Sequence, residues 1–95
     1  METPRLKEMM GAYFHEDFYD AYGGVWETVD AYIADDPPDA SKLPREIGWA
    51  LEHYPDEEDL AGYVLGLGCC YRVQPEDNGY RGWITEIARR VEAAS

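Results

Sequence analysis

The chain has 95 residues, and its 20 acidic against 8 basic side chains give a net charge of −12. This length predicts a single domain over residues 1–95, and a hydrophobic fraction of 45% is enough for a folded core. Because nucleic acids and anionic membranes repel so acidic a surface, the charge excludes both as partners and favours a basic protein.

The N-terminus and the cysteines indicate the cellular compartment. The opening METPRLKEMM lacks the apolar run of a signal peptide, and no later stretch reaches the length of a membrane span. Cys69 and Cys70 are adjacent, which disfavours a disulfide between them, and neither has zinc-ligand spacing. We therefore expect reduced cysteines and a cytoplasmic protein.

Apolar residues recur at helical spacing in five segments. The first two contain Leu6, Met9, Met10, Tyr13 and Phe14, and then Val25, Val29, Tyr32 and Ile33. The last three contain Leu43, Ile47, Ala50, Leu51 and Tyr54; Leu60, Tyr63, Val64 and Leu67; and Tyr80, Trp83, Ile84, Ile87 and Val91. Gly68 suits the end of the fourth helix, and Asn78 is predicted to cap the fifth. The pattern predicts an all-α fold, a small bundle of about five short helices.

The stretch GAYFHEDFYDAYGG, residues 11–24, combines a histidine with acids and tyrosines. His15 with its neighbouring acids does not form the H-E-x-x-H pattern of zinc hydrolases, nor the spacing of an EF-hand loop. Neither His15 nor His53 lies beside a nucleophile motif, and no glycine loop suits a phosphate. We therefore predict no metal, no cofactor and no catalytic residue, so the protein is expected not to be an enzyme.

The same stretch is expected to have two halves. Residues 13–15 are predicted to close the first helix onto the core, and residues 16–22 to form an acidic and aromatic loop at the solvent edge. Residues 8–41 contain no Lys or Arg, and tyrosines alternate with the acids there. A solvated acidic face is one interpretation of this pattern, and an interface with a basic protein is the other.

For the interface, the residues predicted to bind the partner are Asp17, Tyr19, Asp20, Tyr22, Asp35 and Asp36. A later loop offers a competing surface, and it contains Tyr71, Glu76 and Asp77. Which of the two surfaces meets the partner is not decided by charge or spacing.

Four motifs follow one another along the chain: GAYFHEDF, YIADDPP, LGLGCCY and NGYRGWI. The ordered set resembles the small immunity proteins of bacterial contact-dependent growth inhibition systems, the CdiI type, over nearly the whole chain. The first family pattern is matched by Gly11, Tyr13, Phe14, His15 and Asp17, with Phe18 in place of a tryptophan. The later one is matched by Leu67, Gly68, Cys69 and Tyr71, with Cys70 in place of a tyrosine.

The resemblance implies a helical, cytoplasmic, non-enzymatic inhibitor that binds the C-terminal domain of a cognate toxin. Some toxins of such systems are nucleases, and the basic substrate cleft of a nuclease would suit an acidic inhibitor. The alternative is a small acidic adaptor or regulatory domain that binds another protein and has no toxin partner.

Overall fold

The part of the chain that the structure describes, residues 2–94 of a computed structural model, is built from helices joined by short connections. The α-helices are α1 (Pro4–Glu8), α2 (Phe18–Tyr22), α3 (Val25–Asp35), α4 (Pro37–Ala40), α5 (Leu43–His53), α6 (Glu57–Gly66) and α7 (Gly79–Ala94). A π-helical turn (Met9–Tyr13) continues α1, and a 3-10 turn (Pro75–Asp77) precedes α7. No strand occurs within residues 2–94, so the prediction of an all-α fold is confirmed.

Helix α7 lies at the centre of the bundle, with α5 and α6 packed along it and α3 against it as well. Its buried residues are those that the sequence predicts for the fifth helix: Tyr80, Trp83, Ile84, Ile87 and Val91. The indole of Trp83 is 1% exposed, and its ring centroid lies 5.0 Å from that of Phe14 and 4.8 Å from that of Tyr71. Residues from three distant parts of the chain therefore meet around this helix.

The other predicted stripes also enter the core, but their edges stay partly exposed. Half-buried members of the stripes are Tyr13, Val25, Ile33, Leu51, Tyr54, Tyr63 and Leu67. A domain of this size buries a limited share of its surface, so a short helix can bury the middle of its apolar stripe more completely than its edges.

The prediction of a loop over residues 16–22 is wrong from Phe18 onward. Helix α2 begins there, buries Phe18, and ends where Gly23 takes a left-handed conformation with φ of 97°. The four-residue spacing of Phe18 and Tyr22 before a glycine was the sequence signal for this helix. A further short helix, α4, was not predicted, and it begins at Pro37, whose fixed φ suits a first helical turn.

A buried carboxylate holds the start of α1 on α5. Glu46 is 4% exposed and accepts hydrogen bonds from the backbone N–H groups of Arg5 at 2.9 Å and Leu6 at 3.0 Å. The guanidinium of Arg5 donates to the same carboxylate at 2.9 Å. Since the first N–H groups of a helix lack partners within it, α5 supplies the acceptors that α1 needs.

Candidate partner-binding surface

The π turn packs closely against the segment after α6, where Gly11 meets Gly68. A Cβ atom on Gly68 would lie 3.1 Å from the Cα of Gly11, and Gly68 has a φ of 105° that favours glycine. Two residues further along, the N–H of Cys70 donates to the carbonyl of Phe14 at 2.9 Å. The motifs at residues 11–18 and 65–71 therefore meet at one backbone junction.

Tyr13 extends from this π turn to α2 and α3. Its ring stacks on Tyr22 with centroids 5.8 Å apart, and it meets the edge of Tyr32 at 5.2 Å. Its hydroxyl donates a hydrogen bond to Oδ2 of Asp35. Burial raises the pKa of Tyr13, and the hydrogen bond to Asp35 raises it further, so the hydroxyl stays a neutral donor.

Through Tyr13 the structure joins two residues of the predicted interface, Tyr22 and Asp35, which belong to different helices. Asp35 is exposed at the end of α3. Its neighbour Asp36 has a structural role, because Oδ1 of Asp36 accepts from the N–H of Asp39 at 3.3 Å and so caps α4. The sequence pattern assigned Tyr13 to the core. In the structure it is half-buried and contacts two of the predicted interface residues, so it is a residue of this region that the prediction left out.

The first three predicted residues lie together at the start of α2. Asp17 and Asp20 are exposed, and Tyr19 between them is 65% exposed. The N–H of Asp17 donates to Nδ1 of His15 at 3.0 Å, so the imidazole is hydrogen-bonded to the chain at the entrance to the helix. The start of α2 therefore exposes two carboxylates and a tyrosine ring to the solvent.

The competing loop adjoins α2. The ring of Tyr71 lies 6.0 Å from that of Phe18 and nearly perpendicular to it. The Tyr71 hydroxyl donates to Oδ2 of Asp77 at 2.5 Å, and the same oxygen accepts the N–H of Gln74 at 2.7 Å. Tyr71 and Asp77 therefore maintain the shape of the loop, while Glu76 remains exposed. Through Phe18, the loop that contains Tyr71 therefore packs next to α2, which carries part of the first predicted surface.

The described residues can also be compared with the features of a metal centre, a reactive thiol and a membrane span. Within residues 2–94, no three His, Cys, Asp or Glu side chains come together as the ligands of a metal ion would. Cys69 is buried, and this burial raises the pKa of its thiol to about 11, so the thiol stays protonated at neutral pH. Over the same part of the chain, none of the helices has both the length and the apolar character needed to cross a membrane.

This small helical domain exposes a tyrosine, a residue type that is enriched in the interfaces of protein-binding proteins. Residues 2–91 match the model of the CdiI immunity protein family, which covers nearly the whole chain. The chain therefore belongs to the CdiI immunity protein family, and proteins of this kind are in general non-enzymatic inhibitors of a cognate toxin. Comparisons with curated proteins and with solved structures found no match.

Proposed function

We propose that the protein neutralises a cognate toxin in the cytoplasm by covering a basic surface of the toxin's C-terminal domain with the side that contains α2. The main support for this proposal is Tyr19, which is 65% exposed. Among residues 2–94 it is the large hydrophobic side chain that is exposed to solvent. Asp17 and Asp20 flank it and are exposed. A tyrosine ring can anchor a complex at its centre, while carboxylates around it pair with basic groups.

The distribution of charge along the chain supports α2 as an acidic contact. The net charge is −12, and residues 8–41, which include α2 and α3, contain no Lys or Arg. A toxin that binds nucleic acid, such as a nuclease, presents a basic cleft, and the field of this protein would attract that cleft before contact. The proposed interface consists of Asp17, Tyr19, Asp20, Tyr22, Asp35 and Asp36.

Stopped-flow association with the cognate toxin domain tests the proposal. Asp17 and Asp20 are both changed to lysine in one variant, and Glu58 and Asp59 in a matched control. Each double reversal changes the net charge from −12 to −8, because each substitution removes one negative charge and adds one positive charge. Both pairs lie at the start of a helix. We expect the first variant to associate about threefold to tenfold more slowly than the control at low salt.

Salt and a second variant complete the experiment. The difference between the two variants should vanish near 1 M salt, where the Debye length falls from about 10 Å at 0.1 M to about 3 Å. Tyr19→Ala should instead raise the dissociation rate, because a packed aromatic ring acts after docking. Equal rates for the two charge-reversed variants, together with wild-type dissociation of Tyr19→Ala, would place the interface elsewhere.

A further inference from the structure

The wide turn after α1 changes the direction in which Tyr13 points. An α-helical continuation would set Tyr13 on the same buried stripe as Met9 and Met10, four and three residues earlier. The π turn closes instead with the N–H of Phe14 donating to the carbonyl of Met9, five residues back, at 2.9 Å. Phe14 then enters the core at 0% exposure, while Tyr13 stays half-buried at its edge. Such turns are often found at functional sites.

Two contacts of Tyr13 involve different parts of the proposed interface, and a third involves the core. Its ring stacks on Tyr22 at the end of α2, and its hydroxyl binds Asp35 at the end of α3. The edge contact with Tyr32, which is 3% exposed, anchors the ring against the core. A half-buried tyrosine or an exposed aspartate at the end of a helix would otherwise sample several rotamers, and ordering it on binding reduces affinity.

We propose that Tyr13 is a positioning residue that holds Tyr22 and Asp35 in the arrangement in which they meet the toxin. This inference rests on the proposed function, since it concerns the same surface. Tyr13 acts before binding: the stacked ring orders Tyr22, and the hydroxyl orients the Asp35 carboxylate toward basic groups of the partner. Asp35 is exposed, so its carboxylate remains available to that partner.

The test is a double-mutant cycle between Tyr13→Phe and Asp35→Ala, measured as the dissociation constant for the cognate toxin domain. Tyr13→Phe retains the ring and removes the hydroxyl that orients Asp35. We expect it to weaken binding about threefold to tenfold. The double variant should bind no more weakly than Asp35→Ala alone, because the hydroxyl of Tyr13 acts through that carboxylate.

Tyr63→Phe is the matched control. Tyr63 is also half-buried, and its hydroxyl is hydrogen-bonded to Thr3, in a contact that involves neither α2 nor α3. We expect this variant to lower the melting temperature about as much as Tyr13→Phe but to bind the toxin with wild-type affinity. A hydroxyl with a purely structural role would change the melting temperature alone.

The outcomes separate this inference from the proposed function. If reversing Asp17 and Asp20 slows association while Tyr13→Phe binds with wild-type affinity, the positioning role is wrong and the proposed function stands. Additive effects of Tyr13→Phe and Asp35→Ala would also overturn it. If neither the charge reversal nor Tyr13→Phe affects binding, the proposed surface itself is wrong.

Discussion

The carboxylate of Glu57 accepts a hydrogen bond from the backbone N–H of Tyr80, with Oε2 2.7 Å from the nitrogen. Its other oxygen accepts the N–H of Arg81 at 3.1 Å. These are the second and third residues of α7, whose N–H groups an N-cap side chain normally satisfies. Glu57, the first residue of α6, therefore takes the role that the sequence predicted for Asn78, and it joins the two helices.

The first prediction concerns this cap. Glu57→Ala should lower the free energy of unfolding by about 1–2 kcal/mol, because two N–H groups at the start of α7 lose their acceptor. Glu58→Ala is the control, since it removes a carboxylate from the same first turn of α6 without removing that cap. Urea unfolding followed by circular dichroism measures both. Equal losses would mean that the general effect of charge at the start of α6 outweighs the two hydrogen bonds.

The second prediction compares two glycines. Gly62 is exposed within α6, and a Cβ there would meet nothing within 4 Å. Gly62→Ala should therefore stabilise the protein by about 0.5–1 kcal/mol, through higher helix propensity. Gly68→Ala should destabilise it by about 1–2 kcal/mol, because φ is 105° and the added carbon would press on Gly11. Thermal melting of both variants measures the contrast, and a loss of stability in Gly62→Ala would contradict it.

The third prediction compares two buried tyrosine hydroxyls. Among the residues that the structure describes, none supplies a hydrogen-bond partner for the hydroxyl of Tyr32, whereas that of Tyr80 donates to the Tyr71 carbonyl at 2.8 Å. Tyr32→Phe should leave the free energy of unfolding unchanged or raise it, since the buried hydroxyl costs desolvation without a bond in return. Tyr80→Phe should lower it by about 1 kcal/mol. Chemical denaturation measures the free energy of unfolding of both variants. A larger loss in Tyr32→Phe than in Tyr80→Phe would contradict the prediction that the Tyr32 hydroxyl lacks a hydrogen bond.

The fourth prediction concerns the adjacent cysteines. Cys70 is exposed, whereas Cys69 is 6% exposed and burial raises the pKa of its thiol to about 11. A thiol reagent at pH 8 should modify one thiol per native chain rapidly and two in denaturant. Cys70→Ser should abolish the rapid phase, and Cys69→Ser should retain it. Rapid modification of both thiols in the native protein would show that Cys69 is accessible.

Because Cys69 is buried, its thiol should make the free energy of unfolding fall at alkaline pH. The pKa of the thiol rises from 9.0 to about 11 on folding, so the folded state favours the protonated form. Below pH 9 the thiol is protonated in both states, and its protonated form keeps its full contribution to the free energy of unfolding. As the pH rises from 9 toward 11 the unfolded chain loses this proton first, so that contribution is lost. Unfolding curves across this range should show a smaller decline for Cys69→Ala than for the wild type.

Several features of the fold and the site could be predicted from the sequence. The five apolar stripes and the all-α class depend on spacing within a few residues of each other, and this local spacing is what sets the face of a helix. The same is true of the acidic stretch over residues 8–41, since charge along a chain is read directly from its residues. The exposure of Asp17, Tyr19 and Asp20 follows this pattern.

Only the tertiary structure decided how these elements meet. Glu46 and Glu57 accept hydrogen bonds from helix N–H groups that lie 41 and 23 residues away in sequence, and no local pattern predicts such pairs. The direction of Tyr13 likewise depends on a π turn and on the contact between Gly11 and Gly68, which are distant in the chain. Local periodicity determined which faces of this protein are apolar and where its acids lie. The packing of distant segments determined that Tyr13, Tyr22 and Asp35 form one surface, because hydrogen bonds and ring contacts form wherever the fold brings partners within reach.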